Sequence, residues 1–117
     1  MNILLIINDP PYGTEKAYNA LRLAMAIQKG HVDVQLRVFL MADAVSAALG
    51  GQVTPQGYYN LERMLRSVLS RGGEVRLCGS CLDARGLKDA ACVEGAARGS
   101  MSQLAAWTVE ADQVLVF

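Results

Sequence analysis

The sequence is poor in charge and in aromatic rings. Only 19% of its 117 residues are Asp, Glu, Lys or Arg, against roughly 25% in an ordinary soluble domain, and 6% are aromatic. Eleven basic residues balance eleven acidic ones, and neither sign forms a run. A protein that binds nucleic acid by neutralising phosphates carries a basic excess, so direct nucleic-acid binding is not expected. No apolar stretch approaches the roughly 18 residues of a membrane span, and Asn8-Asp9-Pro10 cuts short the apolar run at the start. That run lacks a basic n-region, so no signal peptide is read and a cytoplasmic location is expected. There is one histidine, His31, and no second C-x-x-C, so the ligand spacing of a zinc site is missing. Neither G-x-G-x-x-G nor a Walker sequence occurs, which argues against nicotinamide or ATP chemistry. No cofactor and no metal are expected.

What the chain does have is apolar residues, 52% of the total, including sixteen alanines. That is enough to bury one core but too short a chain for two, so residues 1–117 are read as a single domain. Few charges also mean that polar groups do not cover the surface, and some apolar surface is expected to meet another copy in a homo-oligomer.

Strand-like and helix-like segments alternate along the chain. Ile3-Leu4-Leu5-Ile6-Ile7 is a continuous, partly β-branched run of the kind buried on both faces of a sheet. After Pro10-Pro11-Tyr12-Gly13, helical spacing begins near Thr14, read as the N-cap, with Ala17, Ala20, Leu21, Ala24 and Ile27 on one face and Gly30 closing the helix. Val34 to Met41 reads as a second strand and Ala44–Ala48 as a short helix, with Asp43 its expected cap. The Gly50–Gly57 loop is long and glycine-rich, the composition of a lid or an assembly contact. Leu61, Met64, Leu65, Val68 and Leu69 mark a helix, and Val75–Cys78 a third strand. The stretch from Leu87 to Gly99 is weak, with a short strand expected around Cys92-Val93. Ser100 and Gln103 form a capping box ahead of a helix through Thr108, and Val114–Phe117 is the last strand. Trp107 and the methionines fall at core-type spacing, and His31 reads as a surface residue.

Such alternation predicts an α/β fold: three α/β/α layers around a mostly parallel twisted sheet of four or five strands, Rossmann-like in kind. Ligands in these folds collect beyond the carboxyl ends of the strands. Three segments should meet there: Asn8–Gly13, Met41–Ala44 and Cys78–Gly86.

Cys78 is the residue with chemistry. It ends a buried strand, and Cys81 follows about one helical turn later. Unpaired N–H groups at a helix start stabilise a thiolate, the nucleophilic form, and can bring a thiol pKa from about 8.5 to between roughly 3.5 and 7.5. Arg85 is expected to add positive charge, and Gly79 leaves room beside the sulfur. A disulfide scaffold needs a secreted context, so Cys78, Cys81 and Cys92 are read as reduced thiols, Cys92 as structural. Burial of small hydrophobic cysteines is the competing explanation. Asn8, Asp9 and Tyr12 face the same rim, where turn chemistry accounts for Asn and Asp equally well. Asp83 reads either as an acid–base partner of the thiol or, preferably, as a first-turn acidic residue favoured by the helix dipole.

The residues together resemble the DsrE/DsrF-like family, in particular its YchN-type branch. The marks are Ile7-Asn8 with Pro11-Tyr12-Gly13 and Glu15; Leu21-Arg22-Leu23-Ala24; Phe39-Leu40-Met41 with Asp43-Ala44-Val45; Gly57-Tyr58; Leu77-Cys78-Gly79-Ser80-Cys81 with Asp83 and Arg85-Gly86; and Trp107-Thr108. The resemblance implies a sulfur-handling protein assembled as a homotrimer or homohexamer. It also implies that Cys78 takes a persulfide sulfur from a donor protein and passes it to an acceptor. Cys81 has no counterpart in the sulfur-relay members, although it suits the YchN-type branch. Cys78 and Cys81 are thus the candidate reactive pair, with Asn8, Tyr12, Asp83, Arg85 and Gly86 as candidate substrate-binding residues. Two other functions stay open: a thiol–disulfide redox protein using Cys78 and Cys81, and a non-catalytic oligomeric scaffold.

Overall fold

The computed structural model describes residues 1–56 and 58–117. Five strands form one parallel sheet: β1 (Asn2–Ile7), β2 (Gln35–Leu40), β3 (Glu74–Cys78), β4 (Ala97–Gly99) and β5 (Gln113–Val116), in the spatial order β4-β3-β2-β1-β5. The helices are α1 (Lys16–Gly30), α2 (Leu61–Ser70), α3 (Gly79–Ala84) and α4 (Met101–Glu110), with a 3₁₀ helix over Ala42–Ala48. The expected α/β architecture is therefore present, with five strands and all of them parallel.

Strand periodicity divides the side chains between two layers. On one face Ile3, Leu5 and Ile7 align with Leu36, Val38 and Leu40, then Val75 and Leu77, and all are buried. This face packs under α1, α2 and the 3₁₀ helix. Gln28 ties α1 to α2 through its Nε2, which donates to the Val68 carbonyl at 2.9 Å. On the other face Leu4, Phe39, Arg37 and Arg76 meet α4. Trp107 sits edge-on to Phe39 at 6.1 Å, with the guanidinium groups of Arg37 and Arg76 5.2 and 5.6 Å from its centroid. One ten-residue helix covers this face, and toward the β5 edge Val114 and Val116 remain 38% and 65% exposed.

Several local expectations shift. Thr14 does not cap α1: Glu15 holds that position without a side-chain bond, while Thr14 Oγ1 donates to Asp9 and accepts from the Lys16 N–H. Met41, not Asp43, precedes the 3₁₀ helix as its cap. No strand forms around Cys92-Val93. Cys92 makes a single antiparallel bridge to Leu49, and the fourth strand lies at Ala97–Gly99. The methionines are not core residues as a group, since Met1 and Met101 are 65% and 63% exposed. The capping of α4 does hold, with Ser100 accepting from the Gln103 N–H at 3.2 Å.

Gln52 organises the described part of the Gly50–Gly57 loop; Gly57 itself lies outside the described residues. Its amide donates to the Ala47 and Leu49 carbonyls at 2.8 and 2.9 Å, its N–H donates to Glu62 at 2.8 Å, and its carbonyl accepts from Asn60 at 3.1 Å.

Candidate functional site

The chain order of the strands decides where a crevice opens. From β1 through β4 each strand is laid beside the previous one, so right-handed crossovers keep α1, α2 and α3 on one face. From β4 the chain returns across the sheet to β5, which puts α4 on the opposite face. The loops leaving β3 and β4 thus diverge to opposite sides, the topological switch point at which α/β sheets bind ligands. A cleft of about 320 Å³ opens there, lined by Phe39, Met41, Cys78, Gly79, Ser80, Arg98, Gly99, Ser100 and Met101.

Cys78 is one of the residues lining this cleft. It is the last residue of β3 and the N-cap of α3 at once. Its Sγ accepts from the Cys81 N–H at 3.4 Å and lies 3.4 Å from the Ser80 hydroxyl. Only 8% of the residue is exposed, so reagents reach the sulfur through the cleft rather than across the general surface. Burial opposes ionisation of this thiol. Hydrogen bonds from the Cys81 thiol, the Ser80 hydroxyl and the two backbone N–H groups of Cys81 and Ser80 outweigh it and hold the pKa below the ordinary thiol value. Cys81 moves the other way: burial and the hydrogen bond shared with Cys78 raise it, against the pull of the Ala42 N–H. The two sulfurs thus divide the roles of thiolate and thiol.

Ala42 holds Cys81 from across the rim. Its N–H donates to Cys81 Sγ at 3.2 Å, with its own φ at 49°, in the left-handed region. A non-glycine residue there costs roughly 1–2 kcal/mol.

The cation of the cleft is Arg98, which sequence reasoning missed. Its Nη1 and Nη2 donate to the two carboxylate oxygens of Asp83 at 2.9 and 2.6 Å. Gly79 makes room for it: a Cβ at that position would fall 2.7 Å from Arg98 Nε and 2.9 Å from Cζ. Gly99, opposite Cys78 in the register, is equally tight, since a Cβ there would meet Gln103 Oε1 at 2.7 Å and Phe39 at 3.0 Å. Arg98 escaped the sequence because β4 is three residues long and has no readable alternation. The β3–β4 register, which sets Arg98 opposite Leu77 and Gly99 opposite Cys78, and the pair with Asp83 bring it to the cysteine.

The other residues singled out from sequence divide between this cleft and elsewhere. Asp83 belongs to the cleft's support but is not in the first turn of α3, so the helix-dipole explanation is replaced by its two bonds to Arg98. Arg85 is not among the residues lining the Cys78 cleft, and its charge acts on Cys81, where it favours the thiolate against burial. Its Nε donates to Asp43 at 2.8 Å and its Nη1 to the Cys81 carbonyl at 3.1 Å, an arrangement that ties α3 to the 3₁₀ helix. Asp43 is thus an ion-pair partner and not a cap. Gly86, at φ 69°, makes the turn after α3. Asn8 is exposed after β1, two strands from β3, and its N–H donates to the Phe117 carbonyl. Tyr12 is not part of the Cys78 cleft either. Its hydroxyl donates to Gln52 at 2.6 Å and accepts from the Leu61 N–H at 3.1 Å. It lines a separate hollow of about 340 Å³ with Val53, Thr54, Pro55, Tyr58 and Tyr59. The described part of the glycine-rich loop borders that hollow, not the cysteine cleft. Cys92 is half-buried, and burial alone raises its pKa. Among the described residues no group of three or more His, Cys, Asp and Glu side chains is arranged to hold a metal ion, and no helix is long and apolar enough to cross a membrane.

Comparison with known proteins gives this geometry its context. The family model described as the DsrE/DsrF-like family matches residues 1–117. Protein YchN of Escherichia coli K12 is 41% identical over 115 residues, which is 98% of this chain and 97% of that protein. An uncharacterised protein of Methanocaldococcus jannaschii is 36% identical over 118 residues, covering both chains completely. The crystal structure of the Escherichia coli ychN protein superimposes with a TM-score of 0.94 at 40% identity, over 99% of this chain and 98% of that one. On sequence and on fold alike, the chain belongs to the DsrE/DsrF-like family.

Proposed function

We propose that this protein carries sulfur as a persulfide on Cys78. The observation that carries this reading is the position of one sulfur: an N-cap thiol with a lowered pKa, lining a cleft at the sheet's switch point. In the loading step the Cys78 thiolate attacks the outer sulfur of a donor persulfide. A new S–S bond forms at Cys78, the donor's S–S bond breaks, and its electron pair leaves with the donor thiolate. Cys81 supplies the discharge step. Its thiolate attacks the inner sulfur of Cys78–S–SH and expels hydrosulfide, leaving a Cys78–Cys81 disulfide that a dithiol reductant reopens. The raised pKa of Cys81 suits it to wait as a thiol while Cys78 is loaded.

Incubation with glutathione persulfide followed by intact mass spectrometry tests this. Cys81→Ser gains and keeps the mass of one sulfur, the unmodified sequence gains it only transiently and ends as the Cys78–Cys81 disulfide with hydrosulfide released, and Cys78→Ser gains none. Labelling that persists in Cys78→Ser ends the proposal. The closeness of Cys81, whose N–H donates to Cys78 Sγ at 3.4 Å, also supports a second reading, a thiol–disulfide redox protein. A Cys78–Cys81 disulfide that forms and reduces reversibly at physiological potential, in a protein that takes up no sulfur, would favour it.

Self-association as a homotrimer or homohexamer is part of the same proposal. It is supported by the thin cover of the α4 face and by the exposure of Val114 and Val116 beside it. A protein donor and a protein acceptor of sulfur are the remaining partners this function needs.

A further inference from the structure

Stability does not account for where Arg98 is held. Its pair with Asp83 is about half exposed, 47% and 45% at the two side chains, and ion pairs in that setting contribute little to folding. Yet the guanidinium is seated where only a glycine leaves space, against the residue next to Cys78, with Nε, Cζ and Nη2 all within 3.0 Å of an added Gly79 Cβ. Arg98 is the only Lys or Arg among the residues lining the cysteine cleft. The negative charge of the Cys78 thiolate also acts on it.

The bare thiolate has its own donors, the groups of Cys81 and Ser80. A second sulfur does not. It would stand about 2.05 Å beyond Sγ, the cleft that Cys78 lines is the open space beside that sulfur, and the outer sulfur carries the negative charge of the persulfide. An arginine has five N–H donors, of which Asp83 engages those on Nη1 and Nη2 that face it. The remaining donors are free to meet an anion.

We propose that Arg98 is the receptor for the outer sulfur of the Cys78 persulfide, with Asp83 holding the guanidinium in place and Gly79 leaving the space it occupies. This rests on the carrier reading above. Loading then moves charge from a site served by backbone N–H groups to one served by a guanidinium, so the cleft distinguishes cargo-bearing from empty cysteine. Among the described residues lining the cleft, Cys78 and Arg98 are the titratable side chains, with the hydroxyls of Ser80 and Ser100 beside them, and Asp83 on α3 reaches the site through its two bonds to Arg98.

The test uses the full chain in a Cys81→Ser background, where hydrosulfide is not expelled. The protein is equilibrated with glutathione persulfide and pulse-alkylated with iodoacetamide across pH, and intact mass separates the thiol adduct from the persulfide adduct. In Arg98→Gln the pH midpoint of the persulfide rises by more than that of the bare thiol, and equilibrium loading falls about three- to tenfold. Arg98→Lys recovers part of the loss. Gly79→Ala, which keeps the charge and displaces the guanidinium, behaves like Arg98→Gln. A persulfide midpoint unchanged in Arg98→Gln, or moved only as far as the thiol's, overturns the assignment. A parent protein that takes up no sulfur is a different result and brings down the carrier reading itself.

Discussion

At the scale of single residues, the chemistry of the site comes from which atoms donate to which sulfur. Cys78 is ionised more readily because the Cys81 side chain and N–H both donate to it, against the opposing effect of burial. Cys81→Ala removes one of those donors. The pH midpoint for alkylation of Cys78 is therefore expected to move up, toward the ordinary thiol value near 8.5, as read by iodoacetamide rates across pH. A midpoint that stays or falls would show that the side-chain hydrogen bond contributes nothing. Cys78 was legible in the sequence because a short strand with Val75 and Leu77 buried, running straight into Cys-Gly-Ser-Cys, places a thiol at a helix start. Arg98 was not, because no local pattern links it to Cys78 across nineteen intervening positions. Tyr12 and Arg85 misled for a related reason. Both lie on segments that reach the carboxyl rim of the sheet, but a rim position does not say which way a side chain turns, and theirs are committed to Gln52 and Asp43.

At the scale of elements, long periodic segments were readable and short ones were not. α1, α2 and α4 declare themselves by apolar residues three and four apart, β1 by a continuous apolar run, and β2 and β3 by apolar residues alternating with Arg37 and Arg76. β4, with Ala97-Arg98-Gly99, has neither signal and forms only because β3 offers it an edge. The start of α2 illustrates how a single side chain fixes an element and its neighbour together. Asn60 Oδ1 accepts from the Arg63 N–H at 3.1 Å, and its Nδ2 donates to the Gln52 carbonyl. Asn60→Ala loses the helix cap and leaves that carbonyl without its donor. Chemical denaturation should register a loss of about 1–3 kcal/mol, while sulfur loading at Cys78, on another element, stays as it was. A loss of a few tenths only would mean that water replaces both bonds.

At the scale of the whole molecule, the low charge content and the uneven cover of the sheet point the same way. One face lies under α1, α2, α3 and the 3₁₀ helix, the other under α4 alone. If the second face is where copies meet, light scattering gives a mass that is a multiple of 12.6 kDa, and Val116→Lys, at an exposed position, reduces it without unfolding the chain. A clean monomer in the unmodified protein would remove self-association from the proposed function. The α/β class was legible here because the alternation of elements is global, but the strand order was not. Nothing in composition or spacing states that the chain returns from β4 to the far edge, and it is that return which opens the cleft. One wall of the cleft is consequently the most weakly secured strand of the sheet, three residues at its margin with a partner on one side only. Amide hydrogens of Ala97–Gly99 should exchange with deuterium well before those of β1 and β2, by local fraying rather than global unfolding. The doorway would then widen and narrow while the strand bearing Cys78 keeps still, giving a bulky sulfur donor entry without disturbing the nucleophile.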